Sequence, residues 1–140
     1  MKLVLDASVI LKLVLIQDEP HREKASEIVK SFQNSSVEVV LPSFWKYEVG
    51  NILAIKELDN YRYFYNSLLS IGFPTHNFSD NELISVGDFA RNSKVSFYDA
   101  SYHYLAKLTG STFVTSDINY FEKVKSLGEI ILLKDLRIPS

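Results

Sequence analysis

Residues 3–11 read LVLDASVIL, and this stretch decides the fold class. Its first three residues are all apolar and do not alternate with polar ones, which is typical of a strand covered on both faces. Asp6 follows directly, and a helical pattern covers residues 7–16. A buried strand that leads at once into a helix favours a parallel sheet packed between helices.

Short apolar or β-branched runs of the same kind recur along the chain. They predict further strands at residues 37–41, 112–114 and 130–133. A weaker strand pattern covers residues 73–78, where Pro74 favours an edge position because proline cannot donate a ladder hydrogen bond.

Helical patterns fill the segments between these strands. The order is strand, two helices, strand, several helices, and then strand, helix and strand. We therefore predict an α/β fold, a three-layer α/β/α sandwich with a central parallel sheet of four or five strands. The further helical patterns cover residues 21–32, 44–57, 61–70, 80–91 and 99–108.

The composition is that of one ordinary globular domain. Of the 140 residues, 46% are hydrophobic and 23% are charged, which is enough to bury a core. No repeat or linker divides the sequence, so we expect a single domain over residues 1–140. No run of about 18 apolar residues is present to span a membrane. We therefore expect a soluble, cytoplasmic protein.

Cysteine and glycine usage excludes several kinds of site. The chain has no cysteine, which excludes disulfides and thiolate-bound metals, so a metal must be held by oxygen or imidazole. Only five glycines are present, and neither GxGxxG nor GxxxxGK[ST] occurs. Dinucleotide binding and P-loop phosphate binding therefore have no support.

The net charge of −2 says little about nucleic acids. Nonspecific nucleic-acid binders usually carry a basic surface, because phosphate contacts supply most of their affinity. A nuclease, however, needs basic residues only along the path of its strand, and an acidic metal centre lowers the total charge. The charge counts mildly against an RNA-binding function without deciding it.

Acidic residues stand where the predicted sheet would bind a ligand. In open parallel sheets, ligands collect beyond the carboxyl ends of the strands. Asp6 and Asp117 each follow a predicted strand. Asp99 opens a helical pattern, and Glu48 lies one turn into the helix after the second strand.

Each of these acids also has a purely structural interpretation. Aspartate at a junction between strand and helix is a favoured N-cap, so Asp6, Asp99 and Asp117 could serve only as caps. Glu48 borders the apolar stripe of its helix and could be a surface glutamate. The pattern around any single acid leaves both interpretations open.

The four acids are more informative together. Clustered carboxylates repel one another, and one of them stays protonated unless a cation neutralises the group. A site built only from oxygen ligands suits magnesium or manganese. Such ions bridge substrate phosphates, activate a water molecule and stabilise the leaving oxygen of a phosphodiester.

Four blocks of the sequence resemble the successive signature blocks of PIN domains, specifically of the VapC-like toxins of prokaryotic toxin–antitoxin pairs. Each block is loose by itself, but the four occur in the right order in a chain of the right length. The resemblance runs from residue 1 to about residue 121. The blocks are LVLDASVIL (3–11), PSFWKYEVGNIL (42–53), SFYDASYHYLA (96–106) and TFVTSDINYF (112–121).

The resemblance implies a metal-dependent endoribonuclease with Mg²⁺ or Mn²⁺ as its cofactor. It also implies RNA as the substrate, a cognate antitoxin protein as a partner, and a homodimer. The residues that it places in the acidic centre, as catalytic groups and metal ligands, are Asp6, Glu48, Asp99 and Asp117.

Three polar residues match positions that lie beside the centre in this family. They are Ser8, Asn51 and Thr115, and the resemblance implies supporting roles for them. Ser8 could instead be a helix N-cap and Thr115 an ordinary β-branched strand residue. His103, one helical turn after Asp99, is expected to be a partly buried or interfacial histidine outside the site.

Two rival functions stay open. In the first, the chain is a noncatalytic PIN-like module that binds RNA or a protein, and its acids serve as caps. In the second, it is a phosphatase or phospho-receiver on a similar sheet. The spacing opposes the second, because such a phosphatase needs another aspartate two positions after Asp6, where Ser8 stands.

Overall fold

The computed structural model describes residues 1–15, 20–56 and 59–139. Its strands form two parallel ladders. The larger is a sheet of four strands in the order β2-β1-β5-β6, and the smaller pairs β3 with β4. The strands are β1 (Lys2–Leu5), β2 (Glu38–Val39), β3 (Leu41–Pro42), β4 (Thr75–His76), β5 (Thr112–Thr115) and β6 (Ile130–Leu132).

The two central strands are buried on both faces. Leu3 of β1 pairs with Val39 on one side and with Thr112 on the other, and Leu5 lies opposite Val114. Leu3 and Leu5 face one side of the sheet, Val4 and its partner Phe113 face the other, and all four are at most 1% exposed. This burial explains why the predicted strands showed no polar alternation.

Seven helices surround the sheet in the described part of the chain. The sixth is buried on most of its circumference and packs against β1, β3 and β5. The helices are α1 (Ala7–Leu11), α2 (Arg22–Gln33), α3 (Trp45–Ile55), α4 (Tyr61–Leu69), α5 (Asp80–Ser93), α6 (Phe97–Thr109) and α7 (Ile118–Val124).

The predicted α/β/α sandwich with a parallel sheet of four or five strands is confirmed. Several boundaries differ. The strand predicted at 37–41 is two short strands, since the chain leaves β1 at Val40 and pairs with β4 from Leu41 onwards. The edge position predicted for residues 73–78 is confirmed for β4.

Helix boundaries also differ from the prediction. The helix expected to open at Asp99 begins two residues earlier, at Phe97, because Ser96 caps it. A helix was expected between the last two strands without bounds, and α7 fills that place. The predicted helix ends at Ile16 and Glu57 lie outside the described residues.

The helices α3 and α4 cross at a close contact. A Cβ built on Gly50 would lie 2.6 Å from the hydroxyl oxygen of Tyr65. That hydroxyl donates a hydrogen bond to the carbonyl oxygen of Lys46 on α3. The absence of a side chain at Gly50 therefore lets the Tyr65 ring of α4 pack against α3, the helix that carries Glu48.

Across residues 1–15, 20–56 and 59–139, no helix has the length and apolar character needed to cross a membrane.

Candidate active site

Asp6 lies where β1 ends, held by the neighbouring strand and by two hydroxyl groups. Its backbone N–H donates to the carbonyl oxygen of Val114 at 3.0 Å. Its carboxylate oxygen Oδ2 accepts hydrogen bonds from Thr115 Oγ1 at 2.7 Å and from Ser8 Oγ at 2.9 Å. Asp6 occupies the N-cap position of α1, but its side chain makes no capping hydrogen bond. The cap interpretation is therefore wrong for this residue.

The carboxyl group of Asp6 is difficult to ionise. Burial raises its pKa to about 6, and the negative charges of Asp99 and Glu48 act in the same direction. The hydrogen bonds from Thr115 and Ser8 oppose this rise but do not cancel it. The site therefore holds a buried acid among other acids, an arrangement that a cation would relieve.

Ser8 and Thr115 also tie the end of β5 to this acid. Thr115 Oγ1 accepts a hydrogen bond from the backbone N–H of Asp117 at 3.0 Å. Ser8 Oγ accepts a longer one from Ser116 N at 3.4 Å. Ser8 is thus not an N-cap. Thr115 is more than an ordinary β-branched strand residue, because its hydroxyl contacts Asp6.

Asp117 does act as a helix cap. Its Oδ1 accepts a hydrogen bond from the backbone N–H of Tyr120 at 2.9 Å, at the beginning of α7. The side chain is exposed, and its charge helps to raise the pKa of Asp99. The cap interpretation is therefore confirmed for Asp117, although its charge still raises the pKa of Asp99.

Asp99 lies in the first turn of α6 and is not the cap of that helix. Ser96 occupies the N-cap position, and its Oγ accepts from the backbone N–H of Asp99 at 3.1 Å. Burial raises the pKa of the Asp99 carboxyl, a hydrogen bond from Ser96 lowers it, and the charge of Asp117 raises it. This acid therefore links Asp117 with the pair formed by Asp6 and Glu48.

Glu48 is held by Tyr102, a residue that the sequence did not single out. The hydroxyl of Tyr102 donates to Glu48 Oε1 at 2.7 Å. Burial raises the pKa of Glu48, the tyrosine hydrogen bond lowers it, and Asp99 raises it. Tyr102 follows Asp99 by three residues on α6, so helical spacing alone could have placed both on one face.

The four acids act on one another electrostatically, but their side chains are not arranged as a chelating group. In the described residues, no three histidine, aspartate or glutamate side chains lie close enough to hold one metal ion. None of the ion pairs described there includes one of the four acids; they are His76–Glu82, Lys107–Glu129 and Lys125–Glu122.

The chemistry of the site nevertheless fits a hard divalent cation. Every side chain that contacts Asp6 or Glu48 by a hydrogen bond does so through a hydroxyl oxygen, and the acids themselves are oxygen ligands. Magnesium and manganese prefer such donors. A cation would also reverse the penalty of burying Asp6 among like charges.

A cavity of about 600 Å³ opens beside Glu48. Asn51 is exposed and lies on its wall, so it borders the acidic group without contacting Asp6. The lining residues are Phe44, Tyr47, Glu48, Asn51, Ile52 and Tyr98.

His103 lies outside the acidic site, as expected, but it belongs to the core and is not the partly buried or interfacial histidine that was predicted. It is fully buried, its Nε2 lies 2.8 Å from the carbonyl oxygen of Gly128, and its Nδ1 lies 3.0 Å from the hydroxyl of Tyr120. A neutral ring satisfies both partners, since Nε2 donates to the carbonyl and Nδ1 accepts from the hydroxyl. Burial also lowers the pKa of His103.

Comparison with known proteins identifies the family. The PIN domain model matches residues 3–127 of the sequence. The chain belongs to the PIN domain family. This confirms the family resemblance seen in the four sequence blocks. No curated protein sequence matches this PIN domain.

Solved structures share the fold of this PIN domain. PAE2754 from Pyrobaculum aerophilum is 25% identical with a TM-score of 0.65, over 96% of this chain and 93% of that one. VapBC2 from Rickettsia felis, in a structure bound to a promoter DNA fragment, is 15% identical with a TM-score of 0.68. The match covers 94% of this chain and 97% of that one. VapBC-1 from nontypeable Haemophilus influenzae is 14% identical with a TM-score of 0.64, over 96% and 100%.

Proposed function

We propose that this chain, as a single PIN domain, is a metal-dependent endoribonuclease that acts as the toxin of a toxin–antitoxin pair. The observation that carries the proposal is the buried carboxylate of Asp6. Two hydroxyls hold it in place, and the charges of Asp99 and Glu48 raise its pKa further above that of an ordinary aspartate. A protein gains nothing in stability from such an arrangement, so a cation-binding function accounts for it best.

In this proposal, Asp6, Glu48, Asp99 and Asp117 would hold Mg²⁺ or Mn²⁺. The chemistry supplied there would be activation of water and stabilisation of charge on the leaving oxygen of the RNA phosphodiester. No nucleophilic side chain is then needed, which agrees with the absence of cysteine.

The surrounding residues orient the acids. Thr115 and Ser8 both donate to the same oxygen of Asp6, Oδ2, which fixes the plane of the carboxylate. Tyr102 fixes Oε1 of Glu48 in the same way. Carboxylates oriented in advance by hydrogen bonds bind a metal more tightly than freely rotating ones. We assign Ser8, Thr115 and Tyr102 to positioning roles and Asn51 to the wall of the substrate cavity.

The proposed partners are an RNA substrate, a cognate antitoxin protein and a second copy of the chain, in the cytoplasm. Support for the antitoxin comes from the fold shared with VapBC2 and VapBC-1. Support for RNA comes from membership of the PIN domain family together with the acidic group at the end of the sheet.

Cleavage of RNA with and without metal tests this proposal. We expect purified protein to cut a mixed single-stranded RNA in Mg²⁺ or Mn²⁺, and to lose this activity in EDTA and in the Asp6→Asn variant. The Asp88→Asn variant is the matched control, because Asp88 is an exposed residue of α5. Cleavage that survives EDTA, or that Asp88→Asn abolishes equally, would overturn the proposal.

A noncatalytic module that binds RNA or a protein is the second candidate. Two observations favour it: Asp117 caps α7, and no three described acids stand at chelating distance. Calorimetric titration with Mn²⁺ separates the candidates. The nuclease binds the ion and loses binding in Asp6→Asn, whereas the module shows no binding heat in either protein.

A further inference from the structure

The cavity beside Glu48 lies between the first turns of α3 and α6. Tyr47, Glu48 and Asn51 belong to α3, and Tyr98 belongs to α6, directly before Asp99. Glu48 is therefore both a wall of the cavity and a member of the acidic group. Because Glu48 is shared, an RNA strand with a phosphate held at the acids would place its neighbouring nucleotide beside this cavity.

We propose that this cavity binds one unpaired nucleobase of the RNA, next to the phosphate that is cut. The inference rests on the proposed function and names the part of the substrate that the protein recognises. The volume of about 600 Å³ falls within the range of small-ligand pockets, roughly 300–1,000 Å³. Two properties of the residues that line the cavity, their aromatic character and their charge, favour a base over a phosphate as the occupant.

The first reason is the aromatic character of the walls. Phe44 contacts Tyr98 edge to face, with ring centroids 5.3 Å apart, and contacts Tyr102 in the same manner at 5.8 Å. These contacts hold Phe44 and Tyr98 in place while Tyr98 remains 57% exposed. A fixed and exposed aromatic ring is the usual stacking surface for an unpaired base.

The second reason is charge. Among the described residues, those lining the cavity include the Glu48 carboxylate and the Asn51 amide, but no lysine or arginine. A phosphate would be repelled there, whereas a base is neutral. The amide of Asn51 offers one acceptor and one donor group, which matches the hydrogen-bonding edge of a base.

Fluorescence of 2-aminopurine tests the site without requiring cleavage. The base analogue is moved one position at a time through a single-stranded RNA, and each RNA is titrated with protein in Ca²⁺, a hard cation that neutralises the acids in place of Mg²⁺. We expect strong quenching at one position only, where the analogue stacks in the cavity. The Tyr98→Leu variant should lose this quenching and bind the RNA about 10-fold more weakly.

Two controls isolate the cavity. The Tyr63→Leu variant removes a tyrosine that is 71% exposed on α4 and does not line the cavity, and it should bind like the wild type. An RNA with an abasic nucleotide at the quenched position should bind the wild type and Tyr98→Leu equally. Circular dichroism of both variants confirms that they are folded.

Distinct outcomes overturn this proposal and the proposed function. If the wild type fails to bind RNA, or if Tyr98→Leu binds as tightly as the wild type, the base site is wrong even when cleavage is observed. A short apolar peptide is titrated in parallel, and if Tyr98→Leu weakens only the binding of that peptide, the cavity is a protein-docking site and the base site is again wrong. If quenching is lost as expected but no RNA is cut, the base site stands and the nuclease assignment fails.

Discussion

Burial of the Asp6 carboxyl group makes its ionised form unfavourable in the folded protein. Its pKa rises from 3.8 to about 6 in the folded protein. Between these pH values the folded protein retains a proton that the unfolded chain has released, so the free energy of unfolding falls as the pH rises. Above the folded pKa, the ionised carboxylate costs on the order of 3 kcal/mol, at about 1.4 kcal/mol per pKa unit.

The Asp6→Asn variant should therefore stabilise the metal-free protein. At pH 7 we expect the free energy of unfolding to increase by about 1–3 kcal/mol, because the buried charge is removed while the amide oxygen still accepts from Thr115. The decrease in stability between pH 4 and 6 should also become smaller. Urea denaturation in EDTA at several pH values measures both effects. A loss of stability in Asp6→Asn would show that the carboxylate is a structural element after all.

Tyr102 should control how well Glu48 serves as a ligand. The Tyr102→Phe variant removes the hydroxyl that donates to Glu48 Oε1 and keeps the buried ring. We expect the affinity for Mn²⁺ to fall about 10-fold or more, as for other groups that orient metal ligands. Calorimetry measures this affinity, and Tyr104→Phe on the same helix is the control. Equal affinities in Tyr102→Phe and wild type would remove Tyr102 from the site.

Residue patterns drew attention to the four acids, which do act on one another electrostatically, but not to the side chains around them. Asp6, Glu48, Asp99 and Asp117 follow strands or open helices, so sequence order alone draws attention to them. Tyr102 was missed because a tyrosine in an apolar helix pattern predicts a core position, and Tyr102 is indeed fully buried. Its second role depends on a hydrogen bond to Glu48, 54 residues earlier in the chain, a long-range contact that no local pattern contains.

Helix α4 packs against α3, the helix that carries Glu48. The ring of Tyr65 lies against Gly50, and its hydroxyl bonds to the backbone of α3. A side chain at position 50 would displace the end of the Tyr65 ring and disturb its hydrogen bond to Lys46. Gly50 thus makes room for the Tyr65 ring, although glycine within a helix normally lowers stability.

The Gly50→Ala variant should destabilise the protein by about 1–3 kcal/mol, because the added methyl group overpacks the contact with Tyr65. Gly87→Ala is the matched control, since a Cβ on Gly87 of α5 meets nothing within 4 Å. There we expect the ordinary gain of about 0.5–1 kcal/mol for alanine in a helix. Thermal unfolding of both variants tests this, and a gain of stability in Gly50→Ala would contradict the packing described.

Elements with strong periodicity were predicted well and short ones were not. The strands β1, β5 and β6 lie within or near the predicted ranges, because continuous apolar runs match strands buried on both faces. The run at 37–41 gave no sign that it divides between two ladders. That division depends on β4, which lies more than 30 residues further along the chain.

The four acids come from distant parts of the chain. Asp6 lies after β1, Glu48 on α3, Asp99 on α6, and Asp117 after β5. An ion bound by all four would connect most of the fold. Ligand binding to the folded state alone raises its stability, by about 2.7 kcal/mol when the ligand exceeds its Kd 100-fold.

Saturating Mn²⁺ should therefore raise the Tm of the wild type by several degrees. Calorimetric scans with Mn²⁺ and with EDTA give this difference, and Asp6→Asn should show little or none of it. The metal should also reverse the order of stability, so that the wild type becomes at least as stable as the variant. An equal shift in both proteins would indicate ion binding elsewhere on the surface.

A crystal structure of the protein soaked in Mn²⁺, with anomalous scattering recorded, is the most direct test that these carboxylates form a metal centre. We predict one or two anomalous peaks at the ends of β1 and β5. Oxygens of Asp6 and of at least two among Glu48, Asp99 and Asp117 should lie about 2.0–2.3 Å from an ion. The absence of any peak there, with the four side chains no nearer to one another, would contradict the account.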